Sequence, residues 1–300
     1  MAEVQAFAPG LYARSEELVQ ATRDLDRGRT TQEAVDEQVE RDLAELVSAQ
    51  QAAGLDLLAD GMLRWQDVFR PLVEAADGLE TGALTRFLDT NTFYRAPSAT
   101  TDSPAVAQTL NGKYFAPLPG PRLVTLPSPF ALSQGTGVEP TAVAEGVLKP
   151  QIDGLEAELV VLEEPFLARA YGVDLDGVAS ALKKLAGGPK LALWLTFGDA
   201  GGLFGLGLAD LPVDGIGVDF YATRVDAIPE GFDKLLLAGV LDGRSSVPED
   251  PNEIAGFVKQ LHERGAEKVA LVPNGDLQYV SEPVAREKLA RLGKAKEAAA

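Results

Sequence analysis

The sequence predicts an α/β chain folded as a (β/α)8 TIM barrel, a single domain over residues 1–300, and three observations carry that expectation. From Arg122 onward short apolar runs alternate with helical patterns, the order of a parallel sheet with crossover helices. Runs such as Leu159–Leu162 lack polar alternation, as strands covered on both faces do. Counting two earlier runs gives about eight strands, the number that closes a barrel. A doubly wound open sheet is the alternative, but no G-x-G-x-x-G follows the first strand and no Walker motif is present, so it lacks its usual nucleotide fingerprint.

Taken in order, residues 4–8 form a short strand, and Pro9-Gly10 turns the chain into a helix with Leu18, Val19 and Leu25 on its apolar face, ended by Gly28. Thr30-x-x-Glu33 has capping-box spacing, and Val35, Val39, Leu43, Leu46 and Val47 recur at helical intervals up to Gly54. A strand over 55–59 then delivers Asp60, Met62, Arg64 and Trp65 to a loop before a helix over 67–76. Residues 78–120 read as an irregular insertion, with a strand near 84–89 and a polar, aromatic stretch in which Asn91, Phe93, Tyr94 and Arg95 either form a lid or belong to a plain hairpin. Strands follow at 123–126, 159–162, 191–195, 216–218, 235–241 and 269–272. Helices fall near 140–154, at 175–185, at 254–264 and at 282–292, and the final KAKEAAA reads as a fraying tail.

Composition narrows the function. With 45 acidic against 27 basic residues, a net charge of -18 repels phosphate backbones and anionic lipid, so neither nucleic acid nor membrane is an expected partner. There is no cysteine, hence no disulfide, thiolate nucleophile or Cys-ligated metal. The one histidine, His262, lies in a helical pattern that should face outward. No signal-peptide pattern opens the chain and no apolar run approaches ~18 residues, so a cytoplasmic protein is expected.

Function should gather where the apolar runs break, because in parallel α/β folds the loops after the strands converge on one face. Those positions are Asp60, Pro127, Glu163 with Glu164, Thr196 with Phe197, Asp219, Asp242 and Asn274, a largely acidic ring whose members should raise one another's pKa and suit an acid, a cation or an amine-bearing ligand. Aspartate is also a common helix N-cap after a strand. Glu163 and Asp219 are the candidate catalytic residues. Asp60, Met62, Arg64, Trp65, Glu164, Trp194, Thr196, Phe197, Asp242 and Asn274 are the candidate substrate contacts. Trp194 and Phe197, straddling the end of LALWLTF, are expected to line the mouth, and with Trp65 and Tyr221 they offer stacking surfaces whose alternative is ordinary packing.

Four ordered segments also carry a resemblance. AGLDLLADGMLRWQD, VVLEEP at 160–165, GVLDGRSSVP at 239–248 and VPNGDL at 272–277 resemble motifs of the catalytic C-terminal barrel of the cobalamin-independent methionine synthases, a superfamily that also holds uroporphyrinogen decarboxylase. The resemblance implies methyl transfer from a methyl-folate to homocysteine, a cytoplasmic role in one-carbon and methionine metabolism, and a zinc ion held by one His, two Cys and one Glu. Here those ligand positions fall on Trp194, Thr196, Gly275 and Asp219, and an amino-acid-binding Glu falls on Met62, while the Asp of Q-I-D-E-P becomes Glu163. The expectation is therefore a divergent methyl-transfer enzyme with the zinc site lost, its cofactor unknown, acting on a small-molecule, folate-like substrate. Two alternatives stay open: a non-catalytic barrel that binds a folate-like ligand or a protein partner, and a metal-free acid–base lyase or decarboxylase using Asp60 and Arg64.

Overall fold

The computed structural model describes residues 3–110 and 112–299. Its centre is a curled, seven-stranded, all-parallel sheet formed by β1 (Glu3–Ala6), β6 (Leu123–Pro127), β7 (Leu159–Glu164), β8 (Lys190–Leu195), β9 (Gly215–Asp219), β10 (Leu235–Leu241) and β11 (Lys268–Pro273), in the order β1-β11-β10-β9-β8-β7-β6. The remaining strands, β2 (Ala76–Asp77), β3 (Leu79–Arg86), β4 (Phe93–Ala99) and β5 (Ala105–Val106), form two antiparallel pairs outside this sheet. The stretch 55–59, expected as a strand, makes one bridge, Leu58 with Arg122. It nevertheless bonds to both sheet edges: the Asp56 amide donates to the Ala6 carbonyl, and the Leu123 amide to the Leu58 carbonyl.

Strand side chains alternate in direction, and the sheet sorts them into two cores. Val160, Leu162, Leu191, Leu193, Ile216, Val218, Leu236, Ala238, Val269 and Leu271 share one core with residues of the surrounding helices. Phe7, Ala59, Leu123, Leu159, Val161, Ala192, Trp194, Leu237, Ala270 and Val272 form a second, separate cluster, which fills the hollow of the curled sheet. That same period brings Thr125, Glu163, Thr196, Asp219 and Asn274 onto the hollow side, one step further along their strands than the apolar layer.

Several boundaries differ from those expected, each for a local reason. The second helix starts one residue later than the Thr30-x-x-Glu33 spacing suggested. Thr31 is its cap, with the hydroxyl accepting from the Ala34 amide, and the helix spans Gln32–Ala52. Asp67 holds the amides of Phe69 and Arg70, which shortens the expected helix over 67–76 to Arg70–Glu74. Pro129–Thr136 is a helix that the sequence pattern missed, capped by Ser128. The part of the expected tail within the described residues is helical: the last helix runs Glu282–Ala299, with Ala295 buried and Lys296 paired to Asp56, and Ala300 lies outside the described residues.

The insertion resolves into the plain hairpin alternative, β3 paired with β4. What it lays on the mouth is Phe87 at its turn, buried against Phe166 and Phe197, rather than Asn91, Phe93 or Arg95, which are exposed. Tyr94 is half-buried, edge-on to Phe87.

Candidate functional site

At the carboxyl ends of β9, β10 and β11 a polar network assembles from residues far apart in sequence. The Asp219 carboxylate, 1% exposed, accepts from the Tyr221 amide (2.9 Å), the Asn274 amide side chain (3.1 Å) and the Arg244 guanidinium (2.9 Å). Asn274 also donates to Asp242 at 3.3 Å and accepts from the Gly243 amide, while Arg244 reaches Asp242 at 3.5 Å and stacks over the Phe197 ring at 5.0 Å. Burial raises the Asp219 pKa, and these donors oppose that rise.

Gly239 makes the approach feasible. A Cβ there would lie 2.6 Å from the Val218 carbonyl and 2.9 Å from the Asn274 Cα. Gly239→Ala should therefore cost about 1–3 kcal/mol and displace Asn274 from Asp219. Chemical denaturation, with the Asn274 side-chain amide resonances as a local reporter, checks both.

A second group lies at the ends of β7 and β8. Glu163 is 1% exposed and among the described residues neither of its carboxylate oxygens has a hydrogen-bond partner; the Trp194 indole N–H and the Thr196 hydroxyl are likewise buried and unpartnered there. Burial first, then the neighbouring Asp276 and Glu164 charges, pushes the Glu163 pKa well above the usual carboxylate range. Asp276 accepts from the Leu11 amide, the Gln278 side chain and the Tyr279 hydroxyl, and burial brings it to about 6. Because Asp276 has donors and Glu163 has none, Glu163 holds the proton and Asp276 the charge.

The other expected site residues have structural tasks. Glu164 lies within β7, not beyond it, and being one residue out of phase with Glu163 it points to the helical side. There it accepts from the Ser128 hydroxyl and from the Phe166 and Leu167 amides at 2.9 Å, and burial moves its pKa to about 7. Asp60 is pinned by the amides of Met62 and Ala116. Met62 is packed in the core at φ 49°, and Trp65 is buried against Tyr114 and Phe115 with its indole N–H on the Tyr114 carbonyl. Arg64 pairs with Asp36 and Glu40. Trp194, 0% exposed, belongs to the apolar cluster in the hollow rather than to the mouth, and Phe197 is covered by Arg244 and Phe87. The stacking role expected of Trp65, Trp194 and Phe197 is thus replaced by packing.

Two central members, Arg244 and Asp276, escaped the sequence reading. Both sit past the break of an apolar run, Arg244 in the turn DGR and Asp276 in NGD; the signal was a Gly flanked by polar residues after a strand. His262 lies half-buried on the helix Pro251–Glu263, with its Nδ1 2.7 Å from the Ala266 carbonyl and its Nε2 buried without a partner among the described residues.

The zinc set implied by the resemblance does not fit these residues. Trp194 is a buried indole, Gly275 has no side chain, Thr196 offers a hydroxyl, and only Asp219, already bonded to Arg244, is a competent donor. Among the described residues no group of three or more His, Asp or Glu side chains could hold a metal ion. Purified protein dialysed against a mild chelator should retain only substoichiometric zinc by elemental analysis; one zinc per chain would overturn that expectation.

Residues 142–266 match the family model for the cobalamin-independent synthase, N-terminal domain. The match includes VVLEEP and GVLDGRSSVP and stops before VPNGDL, and it names the N-terminal domain where the motifs had suggested the C-terminal barrel. The 5-methyltetrahydropteroyltriglutamate–homocysteine methyltransferase of Mycobacterium tuberculosis H37Rv is 30% identical over 230 residues, 68% of this chain and 29% of that protein. The Mycobacterium leprae protein of the same name is 28% identical over 204 residues, 60% of this chain and 26% of its own. The chain thus spans under a third of the curated relatives it matches.

Two solved structures share the fold at 15% identity and a TM-score of 0.74. One is a B12-independent methionine synthase from Shewanella sp. W3-18-1 in complex with selenomethionine, with 90% of this chain and 89% of that one covered. The other is a candidate vitamin-B12-independent methionine synthase from Listeria monocytogenes, with 98% of both covered. With the motifs, the matched model and the relatives in agreement, the chain belongs to the cobalamin-independent methionine synthase family.

Proposed function

We propose that the chain is a divergent methyl-transfer enzyme of one-carbon and methionine metabolism, altered in substrate or mechanism, working without the family's zinc. We take residues 55–59 as the eighth place of its barrel, since they bond to both edges of the sheet. The substrate is small and carries an amine. The observation behind this reading is Glu163, a carboxyl buried on the hollow side of the sheet with no partner on either oxygen among the described residues, in a chain of this family.

An ammonium arriving beside Glu163 would offset both the burial and the Asp276 charge that keep it protonated, so Glu163 would release its proton on binding. Asp219, held by Arg244 and Asn274, is the fixed charge two strands along the sheet from Glu163, and Asp242 and Asn274 orient it. A thiol acceptor with a pKa near 8.5 would have no metal to ionise it. Its activation therefore falls to a carboxylate acting as base, and Asp219 is our candidate.

Isothermal titration with homocysteine, methionine and a methyl-folate triglutamate, repeated in buffers of different ionisation enthalpy, tests this. The expected result is binding of an amino-acid ligand with proton release, weakened at least about tenfold by Glu163→Gln. Binding without proton exchange, equal in wild type and variant, would remove Glu163 from the site. No binding of any of the three would count against the methyl-transfer reading itself.

A further inference from the structure

Outside the hollow, between the ends of β9 and β10 and the helix Pro251–Glu263, lies a cavity of about 490 Å³. One wall is aromatic and aliphatic. Phe220 and Phe257 meet edge to face at 5.0 Å, and Tyr221 and Val247 stand 54% and 69% exposed. The other wall is acidic: Asp242, Glu249, Asp250 and Glu253 all line it, and no lysine, arginine or histidine among the described residues does.

The charges there are not equivalent. Glu249 is neutralised by the buried Lys288 at 2.7 Å, and Asp242 is shared with Arg244. Asp250 and Glu253 have no ion-pair partner among the described residues; Asp250 caps the helix, accepting from the backbone and side-chain amides of Asn252, both neutral donors. Unbalanced negative charge therefore faces an apolar wall. The Tyr221 hydroxyl, 3.5 Å from Glu249, has its pKa raised by burial and by the surrounding carboxylates.

We propose that this cavity is a binding site for a small organic cation, an ammonium with an apolar body. The two walls decide between the classes of occupant. An anion is repelled by the rim. A metal ion needs converging donors, and no such group of three exists among the described residues. A neutral apolar ligand would gain nothing from Asp250 and Glu253. An alkylated ammonium uses both walls, its positive carbons against the faces of Phe220, Tyr221 and Phe257 and its charge toward the carboxylates. The site does not depend on the methyl-transfer reading, although Tyr221 and Asp242 belong both to its lining and to the network around Asp219.

Choline and its neutral isostere 3,3-dimethylbutan-1-ol provide the test on the full chain, by ligand-observed NMR and calorimetry. Choline should bind saturably, its trimethyl resonance should move upfield from the ring currents, and added salt should weaken it. The alcohol should bind about tenfold more weakly or not at all. Glu253→Gln, an exposed substitution that leaves the fold untouched, should weaken choline about threefold to tenfold, and Phe257→Leu, which leaves the Phe220 and Tyr221 rings in place, should reduce the upfield shift. Equal binding of choline and the alcohol would show an apolar pocket only. Absence of saturable binding up to about 20 mM, or no change in Glu253→Gln, would equally overturn the proposal.

Discussion

Replacing Trp194 by alanine is expected to cost about 3–5 kcal/mol of folding stability, read from the shift in a denaturant midpoint. The indole is fully buried among Phe7, Leu159, Val161, Leu237 and Val272 in the hollow of the sheet. It fits because two neighbours lack side chains: a Cβ on Gly217 would lie 2.6 Å from the indole Cδ1, and one on Gly10 3.1 Å from its Cζ3. Truncation leaves a void lined by strand side chains that cannot collapse without bending the sheet, which puts the cost at the high end for such changes. A loss below about 1 kcal/mol, with ligand binding abolished, would return Trp194 to the mouth where the strand-end rule had put it.

That contrast shows how far the sequence could be read. Parallel strands covered on both faces are continuous apolar runs, so β6 to β11 stood out within a residue or two. Glu163, Asp219, Asp242 and Asn274, which lie at the ends of β7, β9, β10 and β11, were singled out because each breaks such a run. The depth of a side chain at a strand end is not local, however. Trp194 sinks into the hollow because of Gly10, in the turn after β1, and Gly217 on β9, and no window around LALWLTF contains them. Arg244 and Asp276 were missed for a related reason: they follow the break rather than make it, and only folding brings Arg244 within 2.9 Å of Asp219. The segment 55–59 was read as a strand on its apolar content, but its contacts to both edges are too few for more than a bridge. Glu164 was assigned to the ligand by adjacency, although one step along a strand reverses the side-chain direction.

Glu163→Gln is expected to raise thermal stability at alkaline pH and to leave it nearly unchanged near pH 4.5. In the unfolded chain a glutamate ionises near 4.3; in the fold, burial and the Asp276 charge hold the Glu163 proton to well above that range. Between those two points the native state binds more protons than the unfolded state, so stability falls as pH rises. Below the unfolded value the carboxyl is protonated in both states and contributes no slope. Glu164, at about 7, adds a slope of the same sign in both proteins and cancels in the comparison, as do the acid-labile surface pairs whose slope is opposite. The glutamine is a neutral isostere that has no proton to lose, so the melting-temperature difference between variant and wild type should open upward from pH 5 to 8.5, reaching about several degrees. The same variant then weakens ligand binding while being the more stable protein, which separates a lost ligand contact from a damaged fold. A melting temperature for the variant that stays below wild type throughout, with the gap widening toward pH 8.5, would mean that Glu163 is ionised and stabilised in the fold, and the orphaned-carboxyl account of the site would be wrong.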